Sequence, residues 1–138
     1  MDNQRGKVEV DLGWLAGIIE GEGSFGINIG RHKKKVRFFP NMSIGNTDPS
    51  MMIEVVRILN ENGASGWLAP PRKLKRSVKM IHNLQIVGFK RVRTCLELIL
   101  PYLRTDDKKT DAGLVYEWVN SRQPKPKRTP YSDREVEI

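Results

Sequence analysis

The chain of 138 residues has one cysteine, Cys95, and only two histidines, His32 and His82. A single thiol excludes a disulfide framework within the chain. One Cys with two His is also poor material for a transition-metal site, and a four-ligand structural zinc site is excluded with it. No apolar run approaches the roughly 18–20 residues that cross a bilayer. The start, Met1 to Asp11, is polar with mixed charge and does not read as a secretory leader. These absences point to an intracellular, reducing compartment, with no secretion and no membrane span. The hydrophobic fraction is 38% and the charged fraction 29%, which suits one globular domain around one core.

Acid is missing in a patterned way. No Asp or Glu lies between Glu22 and Asp48, and none between Glu61 and Glu97. Thirteen of the 24 Lys and Arg residues fall inside these two windows. The overall charge is +8 with a pI near 9.8, which favours a polyanionic partner. Ordinary solvated surfaces interleave the signs, so segregation in two stretches suggests one continuous basic face.

Both windows read as strand pairs. From Ser24 to Gly30, Phe25, Ile27 and Ile29 alternate with Ser24, Gly26, Asn28 and Gly30, the period of a half-buried strand. Arg31 to Lys35 is a charged turn, and Val36 to Gly45 returns, with Pro40 marking an edge or irregularity. The second window repeats the plan. Trp67 to Arg72 is a strand broken by Pro70-Pro71, Lys73 to Lys79 is a basic turn, and Met80 to Val87 is a strand. Period 2 puts Ser24, Asn28, Arg37, Asn41, Ser43, Arg72, Asn83 and Gln85 on an outer face. Arg, Asn and Gln there offer polar groups to a polyanionic partner. Lys33, Lys34, Lys35, Lys73, Lys75 and Arg76 fall in turns in the same basic windows. Phe39 shares the outer parity. His82 shares the parity of Leu84 and reads as a core histidine.

Helical patterns separate the windows. Asp11 can cap a helix from Leu12. Asp48-Pro49-Ser50 is a start signal, followed by a stripe of Met52, Val55, Val56 and Leu59, with Gly63 as the stop. Phe89 to Leu100 carries Val92, Cys95, Leu96 and Ile99 at helical spacing, Pro101 interrupts, and Asp111 to Asn120 is a last helix with Leu114, Val115 and Trp118 inward. Residues 1–121 then form the domain, and 122–138 a basic, Pro-rich tail.

The first helix is the most informative stretch. Gly13, Gly17 and Gly21 recur every four residues, with Ala16 beside them, and small residues at that spacing let another backbone come close. The helix ends in Glu20 and Glu22, although a helix C-terminus carries partial negative charge and favours cations. A divalent cation would reverse that penalty, and carboxylate with backbone carbonyl suits Mg²⁺. Two solvated acids at a turn are the alternative.

Leu15-Ala16-Gly17-Ile18-Ile19-Glu20-Gly21-Glu22-Gly23 resembles the nine-residue signature of the LAGLIDADG homing endonucleases. The departures are Ile for Leu, Glu at both Asp positions and Gly for the second Ala. Ser24-Phe25, Ile44-Gly45-Asn46-Thr47-Asp48-Pro49, Leu84-Gln85-Ile86 with Gly88-Phe89-Lys90, and Leu100-Pro101-Tyr102-Leu103 resemble later family segments in the same order, covering roughly Leu12 to Trp118. The resemblance implies an α+β fold, αββαββα, with a saddle-shaped antiparallel sheet against DNA. One signature copy implies a homodimer paired through Gly13, Ala16 and Gly17.

It further implies Mg²⁺-dependent cleavage of both strands of a long, roughly palindromic site. Glu22 would hold the metal with the Gly21 carbonyl, and Glu20 would act indirectly or structurally. Asn46 falls where the family often has Gln or Asn beside the attacking water, or it starts the following helix. Lys108, or Lys109, would face the scissile phosphate, or be a solvated lysine. A non-cleaving DNA- or RNA-binding protein, such as an intron maturase or a regulator, is the alternative function.

Overall fold

The computed structural model describes residues 3–73 and 80–122. In chain order the elements are α1 (Asn3–Glu22), β1 (Gly23–His32), β2 (Lys35–Asn46), α2 (Pro49–Glu61), β3 (Trp67–Leu68), β4 (Arg72–Lys73), β5 (Met80–Val87), α3 (Phe89–Ile99), a 3-10 turn (Leu100–Tyr102) and α4 (Asp106–Ser121). This is the expected α+β alternation of helix, hairpin, helix, strand pair and helices. All pairings are antiparallel, in the order β1-β2-β5-β3. β4 also pairs with β5. β3 and β4 are two pieces of one edge strand: Leu68 faces Leu84 while Arg72 faces Ile81, a shift of one residue across Pro70-Pro71.

The helices cover one face of this sheet. Met42, Ile44, Leu84 and Ile86 from the strands are buried with Leu15 and Ile19 of α1, Met52, Val55, Ile58 and Leu59 of α2, Val92, Cys95, Leu96 and Ile99 of α3, and Trp118 of α4. Trp118 stacks on Phe89 with ring centroids 5.1 Å apart. Burial pushes the Cys95 thiol up to about 12, so it stays protonated and is an apolar core group.

Local chemistry explains the boundaries. The Asp48 carboxylate accepts from Ser50 N at 3.0 Å and Met51 N at 3.4 Å, and Pro49 opens α2. Gly63, at φ +78°, ends it in a conformation costly for other residues. Pro40 sits in the second strand of the sheet without disturbing it. Its carbonyl accepts from Gly88 N at 3.2 Å, whereas the β2–β5 pairing stops at Asn41. A strand residue's N–H and C=O point to the same side, so the missing donor falls beyond the last paired residue.

Four expectations are corrected. α1 begins at Asn3, so Asp11 lies inside the helix, where no free N–H needs a cap. Its carboxylate instead meets the Arg57 guanidinium of α2 at 3.4 and 3.5 Å. α4 begins at Asp106, and its buried stripe is Ala112, Val115, Trp118 and Val119, which leaves Leu114 47% exposed. His82 is half-buried opposite Asn46 at the start of the β2–β5 ladder, outside the core. Neither Lys73 nor Lys35 is in a turn: Lys73 is in β4, paired with Met80, and Lys35 opens β2, paired with His32. α4 ends at Ser121, and residues 123–138 of the expected 122–138 tail lie outside the described residues.

Candidate nucleic-acid interface and catalytic corner

The outer face of the sheet follows from the register. Ser24 opposes Ser43, Gly26 opposes Asn41, Asn28 opposes Phe39 and Gly30 opposes Arg37. Ser43 then opposes Gln85, Gly45 opposes Asn83, and Arg72 opposes Ile81. Directly paired residues share a face. Ser24, Asn28, Arg37, Asn41, Ser43, Arg72, Asn83 and Gln85 therefore all lie on the side away from the helices. Ser24 and Ser43 hydroxyls are 2.6 Å apart across it. A Cβ on Gly26 would approach Asn41 Oδ1 to 3.3 Å, and one on Gly30 would approach the Phe39 ring to 3.0 Å, so glycine lets both side chains lie flat.

Among the described residues no strand contains an acid. Lys33 and Lys34 form the two-residue turn at the hairpin tip, at φ 49° and 67°, and Lys35 and Arg37 follow, both exposed. A type I′ turn needs positive φ at both positions, which Asn and Gly accept most readily. Three of the thirteen basic residues in the acid-free windows, Lys90, Arg91 and Arg93, belong instead to α3 on the opposite side, and Arg93 lies 3.9 Å from Glu97. Lys75 and Arg76 lie outside the described residues, as does the Lys73 side chain.

At one end of this face the chain passes from helix to strand. A Cβ on Gly23 would stand 2.7 Å from Ile19 O and 2.9 Å from Ile19 Cγ2, so only glycine fits where β1 leaves α1. The last turn of α1 holds no basic residue. Its charge is met instead by the start of α4. Glu20 Oε1 accepts from Thr105 N at 2.9 Å and from Arg104 N. These two amide bonds hold the Glu20 carboxyl below its ordinary range. The arrangement sets the positive end of one helix against the negative end of another. Lys108, in the first turn of α4, donates from Nζ to Gly23 O and stands 5.9 Å from the Phe25 ring centroid.

Glu22 is the last residue of α1 and is exposed. It makes no hydrogen bond or ion pair with another described residue. Asn46 ends β2, two residues beyond the Gly23–Ile44 pair, and so lies beside the end of α1. Its Oδ1 accepts from Asp48 N at 2.9 Å, which is the helix-starting alternative, while its amide N–H groups remain donors. Lys108 thus meets the Gly23 carbonyl directly after Gly21 and Glu22, while Asn46 ends the neighbouring strand. Lys109 is exposed on the same helix.

Along α1, Gly17 and Gly21 are exposed, with nothing within 4 Å of an added Cβ. A groove of about 460 Å³ runs beside Gly17, with Val10, Gly13 and Trp14 on one wall and Pro101 and Tyr102 on the other. Ala16 is a correction: it is fully buried in this chain's own core, so a second copy cannot reach it.

The sequence reading missed Trp67, which is 62% exposed and opposes Gln85 on the outer face. Its place in an acid-free window was the available signal, but the Pro70-Pro71 break hides the parity of β3. Among the described residues no helix is long and apolar enough to cross a membrane.

No protein-family model matches this chain, and no curated protein matches it either. Solved structures do. The homing endonuclease I-CvuI, in complex with its target in the presence of calcium, superposes with TM-score 0.66 at 22% identity, over 83% of this chain and 68% of that one. I-CvuI with the I-CreI target, in magnesium and uncleaved, gives TM-score 0.65 at 20% identity, over 95% and 93%. The LAGLIDADG homing endonuclease I-GzeII in complex with DNA gives TM-score 0.62 at 22% identity, over 79% of this chain and only 35% of that one. With the signature at the end of α1 and the strand order β1-β2-β5-β3, the chain has the fold of the LAGLIDADG homing endonucleases.

Proposed function

We propose that the protein is a site-specific endonuclease that binds a long, roughly palindromic DNA duplex as a homodimer and cuts both strands with Mg²⁺. The observation that carries this reading is the corner itself. Supporting it, the exposed Glu22 carboxylate ends α1 one residue before the Gly23 carbonyl that Lys108 meets, where β1 of the polar sheet face begins. The I-CvuI structures support it, since they hold DNA in the presence of calcium or magnesium. Two glycines exposed along α1 give a second copy close access, and one copy of the fold matches nearly all of I-CvuI but about a third of I-GzeII.

The donor set fits the metal. Glu22 offers a carboxylate and Gly21 a carbonyl, both hard oxygen ligands. Among the described residues no cluster of three or more His, Cys, Asp or Glu makes a complete protein-only site. That suits an ion that keeps several waters and takes further ligands from phosphate. When bound, Mg²⁺ supplies activation of water and charge stabilisation at the phosphodiester.

The protein side chains do the rest. The Asn46 amide orients the attacking water by donation, but it is too weak a base to take its proton. Lys108 places its ammonium at the corner, where it offsets negative charge on the phosphate. Glu20 ties the 104–105 amides to α1 and so fixes where α4 delivers Lys108. Ser24, Asn28, Arg37, Asn41, Ser43, Arg72, Asn83 and Gln85 face the bases and backbone, and the lysines of the hairpin tip, with those of the 73–79 segment, hold phosphates.

Glu22→Gln tests the reading. It keeps the side-chain shape and removes the charge. Strand scission should fall below detection while DNA binding survives, measured on a mapped target with Mg²⁺, Ca²⁺ or EDTA. Undiminished cutting by the variant, or cutting by the unaltered protein in EDTA, would contradict the assignment. One observation favours a second reading, binding without cleavage as in a maturase or regulator. Asn46 Oδ1 and the Lys108 ammonium are both engaged by the protein's own backbone. Tight, sequence-selective binding of DNA or RNA with no cutting in Mg²⁺ would establish that alternative.

A further inference from the structure

One residue on the outer face has the wrong chemistry for its neighbours. Trp67 opens β3 opposite Gln85, and Ser43 and Ser24 continue the same row across β2 and β1. Read across the sheet, the row is hydroxyl, hydroxyl, amide and indole. The next residue, Leu68, has the opposite parity and faces Leu84 on the core side. Trp67 therefore contributes nothing to the core, and it is 62% exposed. Isolated apolar residues on a surface are common. The informative feature is this one's position, directly beside a half-buried glutamine on an acid-free face.

The row has the chemical range of a base pair's edge. Major-groove edges present hydrogen-bond donors and acceptors, which the hydroxyls and the amide can match. They present one apolar feature, the C5 methyl of thymine. The indole offers a broad apolar surface and only one N–H donor. Its side chain has two rotatable torsions, so fixing it against a ligand costs little conformational entropy. A neighbouring cross-strand side chain stands within about 5.5 Å at Cβ, close enough for an indole covering a methyl group to shield the Gln85 amide from water.

We infer that Trp67 is a specificity-determining residue that contacts a thymine methyl in the major groove, next to the base that Gln85 contacts. This rests on the proposal that the outer face binds DNA. Trp67 sets preference at one position of each half-site and has no part in the chemistry at the Glu22 corner.

Replacing thymine by uracil removes the methyl and nothing else. A preferred duplex is first selected from a randomised library by the unaltered protein, and each thymine is then changed to uracil in turn. Affinity should fall roughly fourfold at one position per half-site, about the worth of one buried methyl group. Trp67→Ala should bind the thymine and uracil duplexes equally. Gln85→Ala should keep the discrimination and lose preference at the adjacent base. Thermal melting checks that the exposed substitution leaves the fold intact, and Trp67→Leu, still apolar, should retain part of the ratio. A selected site at which no uracil weakens binding, or an unchanged ratio in Trp67→Ala, would overturn the inference while leaving the DNA-binding reading in place. Failure to bind duplex DNA at all would remove both.

Discussion

The outer face of the sheet and the outward side of α1 are both open to solvent, yet they are built on opposite principles. The sheet face is polar, basic and free of acid, and its side chains reach outward. The helix face is small and partly apolar, and at Gly17 and Gly21 it has no side chains at all. A surface of the first kind gains from charge, acts over a Debye length and weakens with salt. A surface of the second kind gains from backbone approach and shape, and salt affects it little. The difference teaches that two exposed faces of one small domain can be suited to partners by different physics. The corner at Glu22 and Lys108 lies where the two surfaces meet.

Salt should therefore break the comparison most sharply. If six to ten phosphates are neutralised by a dimer's lysines and arginines, log K for DNA should fall against log salt with a slope of roughly −5 to −9. Dimerisation, followed by sedimentation over the same range, should change far less. A slope near −1 would mean that the sheet is not the interface.

Two glycines of the signature, Gly23 and Gly17, sharpen the same contrast. Gly23→Ala meets Ile19 backbone at 2.7 Å and should destabilise the isolated chain by about 1–3 kcal/mol, seen in chemical denaturation. Gly17→Leu has open space in the single chain, so the monomer should keep its stability. Its association should weaken by a similar amount. Equal dimerisation before and after Gly17→Leu would remove α1 as the interface.

The hairpin tip sets binding against stability within one residue. Lys34→Gly relieves a positive φ that costs a side chain roughly 1–2 kcal/mol, so the melting temperature should rise. DNA affinity should fall almost equally on all sequences, because a phosphate contact is lost. A rise in both would show that the lysine is not a contact.

The smallest effect is on acid stability. The Glu20 carboxyl is held low by the Arg104 and Thr105 amides, so it stabilises the fold above its ordinary value near 4.5 and loses that contribution as the pH falls below it. Glu20→Gln should flatten the stability profile between neutral pH and about pH 3, with little change in the salt dependence of DNA binding. An unaltered profile would mean that the amide bonds at 104–105 do not depend on the charge.

Most of the architecture was legible because it is local. The helix start at Asp48, the stripe of Val92, Cys95, Leu96 and Ile99, and the outer set from Ser24 to Gln85 follow from spacing along a few residues. The errors fall where a distant partner decided. Asp11 reads as a cap until Arg57, 46 residues away, is seen to take its carboxylate. Leu114 reads as core because the start of α4, five residues upstream of the expected one, was invisible. Ala16 reads as part of a docking stripe because glycine spacing cannot say which side of the stripe the core occupies.

The sequence by itself determined the order of helices and strands, the polarity of the two sheet faces and the signature that carries Glu22. Each is written in a period of 2 or 3.6, or in a short motif, and needs no distant contact. Only the tertiary structure decided that α4 begins against the end of α1, 85 residues away in the chain. That contact brings Lys108 to Gly23 and gives Glu20 two amide partners. No local pattern encodes it, because hydrogen bonds and helix dipoles act over a few ångströms in space and the chain between the partners must first fold.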